Sequence, residues 1–115
     1  MVEINRAFLF CSTVGLLVAT HPASAQAPPA SVEVTIKDHR FSPSEINVQA
    51  GRPTFLEVTN RDSEAEEFEM RQLAIEKLIP AGAKGRIRLR PLGPGRYKFI
   101  GEFHEDTAQG TVVAQ

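Results

Sequence analysis

An all-β sandwich is the fold this sequence predicts, and three observations predict it. Short alternations of apolar and polar residues recur along the chain. Turns rich in Gly and Pro separate them. No stretch sustains a helical period. Alternate residues of a strand face opposite sides of a sheet, so each alternation supplies one face for burial. Two such sheets packed face to face make a core. The 115 residues suit one domain.

Taken in order, residues 1–25 have the pattern of a secretory signal. Arg6 closes a short polar start, residues 7–19 are apolar, and Ala23-Ser24-Ala25 offers small-x-small cleavage. The apolar run falls short of the roughly 20 residues a transmembrane helix needs. Phe10 precedes Cys11 where a lipoprotein signal needs a small residue, which argues against lipidation. Cleavage after Ala25 removes Cys11 and leaves neither disulfide nor thiolate. The expected organisation is a signal peptide over 1–25, a disordered leader over 26–31 around Pro28-Pro29, and one domain over 32–115.

Within that domain, Val32, Val34 and Ile36 alternate with Glu33, Thr35 and Lys37 as a first strand. Asp38-His39-Arg40 and Ser42-Pro43-Ser44 are turn-rich. Ile46 and Val48 begin a second strand, stopped at Ala50-Gly51. Phe55 to Thr59 forms a third, ended by the turn cluster Asn60 to Ser63. Glu67-Phe68-Glu69-Met70 alternates again. Residues 71–78 hold the best helical candidate, long enough for a single turn, before Pro80-Ala81-Gly82. Ile87 and Leu89 alternate with Arg86, Arg88 and Arg90, and Pro91 to Gly95 is a strong turn. Tyr97 to Ile100 and Thr111 to Ala114 close the chain. About seven or eight strands are expected of such a sandwich.

Thirteen Lys and Arg stand against fourteen Asp and Glu, a net charge of −1. Nucleic-acid binding wants a strong basic excess, and a surface anchor wants a polybasic cluster. Neither nucleic acid nor a stable membrane anchor is therefore expected as a partner. No Ser, His and Asp arrangement supports hydrolysis, and Gly93-Pro94-Gly95 reads as a hairpin turn rather than a phosphate loop. An exported, soluble periplasmic protein fits these bounds.

Residues 97–115 resemble the ligand loop of a blue-copper protein. That loop runs from an aromatic strand through Cys, a two-residue gap, His, a turn, Met and Gly into a Val-rich strand. Here His104, Gly110 and the final strand keep the order, with Gly101 at the Cys position and Ala108 near the Met position. The stretches 34–51, 55–60, 80–82 and 92–97 are also similar to the cupredoxin family. Glu67-Phe68-Glu69 together with Phe103-His104-x-x-Thr107-Ala108-x-Gly110 resembles a cupredoxin-like subgroup associated with bacterial ferrous-iron permeases. The resemblance implies a cupredoxin-like Greek-key β-sandwich over 32–115, a copper or iron ion, and partners among the periplasmic or membrane components of an iron-uptake system. It implies capture or transfer of the ion, or help with its oxidation, rather than catalysis by this chain alone.

A blue-copper site depends on a short Cu–S bond to a Cys thiolate. Gly101 offers no side chain, and the family's first histidine position falls at Glu66 or Glu67. His104 is the family ligand that remains. Beside Glu102, Glu105 and Asp106, it can offer one nitrogen to a metal while a carboxylate orients the other. Glu67 and Glu69 share one strand face, and with an imidazole they suit Fe, Mn or Zn better than Cu(I). Their ordinary reading is a solvated strand face. With the opposite parity, Glu66 and Met70 approach the site instead, Met70 as a thioether ligand or as core filler. One residue of register separates the two readings.

His39, in a turn, is a weaker alternative ligand. Lys84, Arg86, Arg88 and Arg90 form a basic stripe, either ordinary edge charge or a dock for an acidic partner. Two further functions stay open: a metal-free interaction module, and a copper electron carrier with an atypical ligand set.

Overall fold

The computed structural model describes residues 14–24 and 27–115. Residues 14–24 carry no regular secondary structure; Arg6, Cys11 and the cleavage point at Ala25 lie outside the described residues. Nine strands follow: β1 Ala30–Lys37, β2 Arg40–Ser42, β3 Glu45–Val48, β4 Thr54–Asn60, β5 Glu66–Met70, β6 Ile75–Ile79, β7 Lys84–Leu89, β8 Gly95–Gly101 and β9 Gln109–Ala114. They build two facing sheets, ordered β2-β1-β4-β7 and β3-β9-β8-β5-β6. The expected all-β sandwich is what forms.

The strand count exceeds the expected seven or eight for local reasons. β2 is only three residues long. The helical candidate over 71–78 divides into a 3₁₀ turn, Arg71–Leu73, and strand β6. Ala74 ends the turn in the left-handed region (φ 54°, ψ 43°) with its N–H on the Arg71 carbonyl. β6 then pairs along the whole of β5. Two pairings, β1 with β4 and β3 with β9, are parallel, because the chain crosses between sheets before returning.

The alternations that predict the strands also fill the core. Val34, Ile36, Ile46, Leu56, Val58, Ile87, Leu89 and Val112 all point inward and are buried. Each such side chain contributes about 1.5–3 kcal/mol of apolar transfer. Phe41 meets Phe68 and Phe99 edge-on, with centroids 5.9 and 4.9 Å apart. Gly110 lies against the Phe99 ring, where an added Cβ would stand 2.1 Å from the ring edge.

β5 resolves the register question. Glu66, Phe68 and Met70 point inward, and Glu67 and Glu69 point outward. Phe68 is opposite Gly101 of β8, which sets Glu66 beside the start of the β8–β9 loop.

The basic stripe on β7 is partly spent within its own sheet. Arg86 pairs with Glu57 at 3.0 Å and lies 3.8 Å over the Phe55 ring, and Lys84 reaches Glu33 at 3.6 Å.

Candidate metal centre

Three connections converge here: the β1–β2 turn, the β4–β5 loop and the β8–β9 loop. The β1–β2 turn has two residues, Asp38 and His39, both left-handed at φ 52° and 55°. Such a hairpin turn needs two positive φ values, which Asp and His tolerate better than most side chains.

Asp62 of the β4–β5 loop clamps that turn. Its carboxylate accepts the N–H groups of Asp38 at 2.7 Å and His39 at 2.9 Å. Desolvation opposes ionisation of Asp62, but the backbone donors of His39 and Asp38 outweigh it and hold the carboxyl below its usual value. Asp62 in turn donates its N–H to the buried Asn60 side chain at 3.0 Å. The Asn60 amide spans the carbonyls of Glu64 at 2.8 Å and Ile79 at 3.1 Å. Asn60 and Asp62 thus tie together the backbones that carry His39 and Glu64.

The β8–β9 loop is closed by its own backbone. Gly101 donates to the Ala108 carbonyl at 2.9 Å, and the His104 carbonyl accepts from Thr107 at 3.1 Å and Ala108 at 2.8 Å. The 3₁₀ turn Glu102–His104 swings His104 back over Glu66.

Glu66 is 1% exposed. One carboxylate oxygen accepts the N–H groups of Glu67 and Phe103, each at 3.0 Å. The other lies 2.6 Å from His104 Nδ1. The carboxylate occupies the space above Gly101: a Cβ there would lie 2.6 Å from Glu66 Cδ, 2.8 Å from Oε2 and 2.7 Å from Ala108 Cβ. The hydrogen bond to Glu66 raises the His104 pKa above 6.5, aided by the charges of Glu66 and Glu64 against partial desolvation.

The far side of the ring faces outward. His104 Nε2 lies 3.3 Å from Glu64 Oε2, and His39 Nε2 lies 3.6 Å from the same oxygen. The two imidazoles stack with centroids 3.5 Å apart and an 11° interplanar angle. One donor atom from each of His39, Glu64 and His104 lies within 4.8 Å of the other two. Tetrahedral zinc, with bonds of about 2.0–2.1 Å, sets neighbouring ligand atoms about 3.4 Å apart. The two rings must turn out of their near-parallel stack before all three donors can point at one ion. Glu64 is 64% exposed, so the ion would stay open to water and exchange.

The structure therefore brings His104 and Glu66 together, with His39 alongside. It does not bring Glu67, Glu69 or Met70 to them. Glu67 and Glu69 take the outer face of β5, where they raise the Glu102 carboxyl pKa by charge repulsion, Glu67 foremost. Strand alternation is the reason: a carboxylate one residue from Glu66 faces the other way. Met70 shares the parity of Glu66 but lies four residues further along β5, roughly 13 Å away at strand rise, buried in the core. Glu105 turns aside to pair with Arg71 at 2.5 Å. Sequence reasoning missed Glu64. The available signal was its place at the end of a turn cluster, just before the position of the family's first histidine.

A family model described as a cupredoxin-like domain matches residues 9–114. An uncharacterised protein of Rickettsia prowazekii (strain Madrid E) is 42% identical over 82 residues, 71% of this chain. The match spans 66% of that protein's length. Among solved structures, the metal-binding domain of the Cu(I)-exporting P-type ATPase CopA of Streptococcus pneumoniae D39, with Cu(I), has a TM-score of 0.67 at 17% identity. That likeness covers 74% of this chain and 84% of the domain. Auracyanin A, a blue copper protein of Chloroflexus aurantiacus, also has a TM-score of 0.67, at 15% identity over 76% of this chain and all of its own.

A blue-copper ion does not fit the residues present. Position 101 has no thiolate, and Glu66 with Ala108 fills the space where one would lie. The fold is kept while the residues at the blue-copper positions differ: the chain belongs to the family of cupredoxin-like domains.

Proposed function

We propose that this protein is a metal-binding accessory that holds an exchangeable divalent ion between His39, Glu64 and His104. The carrying observation is the gathering of three donor atoms within 4.8 Å on one side of His104, whose other side is held by Glu66. Two imidazoles and a carboxylate suit Fe(II), Zn(II) or Cu(II) better than Cu(I). The copper proteins of similar fold support metal handling in general, and of the ions the resemblance implies, this donor set favours iron or Cu(II). We further propose that it works in the periplasm, taking up or passing on the ion beside a ferrous-iron permease. The likeness of Glu67-Phe68-Glu69 and of the His104 loop to the permease-associated subgroup supports that setting.

The test is calorimetric titration under argon with Fe(II), Zn(II), Cu(II) and Cu(I). One equivalent of a divalent ion should bind, and His104→Ala should abolish binding. His39→Ala and Glu64→Gln should each weaken it. An absence of binding by every divalent ion at millimolar concentration would sink the reading. For the uptake setting, cells carrying His104→Ala with the permease intact should accumulate less ferrous iron than wild type.

A further inference from the structure

We propose that Glu66 is a positioning residue that decides which nitrogen of His104 meets the ion, and that the bare Gly101 is the gap it needs. The inference deepens the metal-binding reading and rests on it for its consequence, though not for its first measurement.

The argument starts from the donors around Glu66. One oxygen is committed to two backbone N–H groups, from Glu67 and Phe103. These fix the carboxylate plane and leave Oε2 as an acceptor against His104 Nδ1 at 2.6 Å. A carboxylate can only accept, so the ring proton belongs on Nδ1. A neutral imidazole has one such proton, and its lone pair is then on Nε2. Nε2 is the atom that faces Glu64 and, through it, His39.

The same arrangement closes the interior of the loop to an ion. The carboxylate and the Ala108 methyl fill the space above Gly101. An ion must sit outboard, where it meets two imidazoles, one exposed carboxylate and water. That geometry selects hydrated divalent ions of borderline hardness, Zn(II) and Fe(II) among them.

Glutamine at position 66 separates positioning from shape. Its oxygen can keep the two backbone donors, which turns its NH₂ toward His104. Nδ1 must then accept, the ring proton moves to Nε2, and the lone pair is lost to the metal. The isosteric substitution should therefore bind metal worse than the cruder one.

The experiment has two readouts. Long-range ¹⁵N–¹H correlation spectra of the metal-free protein, above the pH of His104 titration, report the ring tautomer. Wild type should show Nδ1–H, Glu66→Gln Nε2–H, and Glu66→Ala a mixture. Zn(II) titration should then show Glu66→Gln weakened by about 10–100-fold, the range for loss of a carboxylate behind a metal-bound histidine, with Glu66→Ala falling between it and wild type. Circular dichroism checks that both variants fold. An Nε2–H tautomer in metal-free wild type would overturn the proposal, as would a folded Glu66→Gln that binds Zn(II) as tightly as wild type. Failure of wild type to bind Zn(II) or Fe(II), with the Nδ1–H tautomer present, would sink the proposed function and uphold the positioning by Glu66.

Discussion

Glu66 and Glu69 sit on one five-residue strand, on opposite faces, and both are largely hidden from water. Their surroundings differ. Glu66 has three donors, brought by β5, by the start of the Glu102–His104 turn and by His104 itself. Glu69, with its side chain 12% exposed, has Arg71 on one oxygen at 3.2 Å, and its other oxygen is buried without a partner among the described residues. An unpaired buried acceptor lacks about 1–3 kcal/mol of compensation. Burial alone therefore does not mark a carboxylate that is put to use. Convergence of donors from separate segments does, because each segment must be placed for it.

The largest effect should come from removing the well-served member. Glu66→Ala strands two backbone N–H groups and the imidazole, and should lower unfolding free energy by about 3 kcal/mol, read from urea denaturation. Gly101→Ala should act on the same centre from the other side. It presses a methyl into the Glu66 carboxylate and should lose about 1–3 kcal/mol. The double variant Glu66→Ala, Gly101→Ala should lose clearly less than the sum, since the methyl then enters vacated space. Strict additivity would break the link drawn between these two positions.

A pH series sharpens the contrast further. The His104 pKa is raised on folding, chiefly by its hydrogen bond to Glu66. The stability this gives is fully present below the unfolded histidine value of about 6.5 and is lost as pH rises through the folded value. Urea midpoints across the neutral range should show that fall in wild type and a flatter profile in His104→Gln. The smallest change is expected at the poorly served carboxylate. Glu69→Val removes an orphan acceptor and adds a β-branched residue to a strand, so stability should stay within about 1 kcal/mol of wild type. A loss as large as that of Glu66→Ala would erase the distinction between the two faces.

Much of the fold was legible because alternation and turns are local. Val34 and Ile36, Leu56 and Val58, Ile87 and Leu89 carry their parity in the sequence itself. At β5 that signal is degenerate. Glu occupies both parities in Glu66-Glu67-Phe68-Glu69-Met70, so no count of apolar positions says which carboxylate turns in. His104 was legible from its place in the loop. Of its companions, His39 was legible only as a weaker alternative and Glu64 not at all, since both reach it through the turn clamped by Asp62, a contact between segments remote in sequence. Glu105 shows the converse: it lies next to His104 in sequence, yet its carboxylate goes to Arg71.

The clamp at Asp62 has a thermodynamic consequence. The three candidate donors come from turns far apart along the chain, so an unfolded chain has no assembled site. An ion that binds only the folded form adds to its stability about 2.7 kcal/mol at a hundred times its dissociation constant. For a domain of this size each kcal/mol moves the melting midpoint by about 4–8 °C. On the proposed function, folding and loading would become one equilibrium, and a plain melting curve run with each ion in turn would rank the ions by affinity.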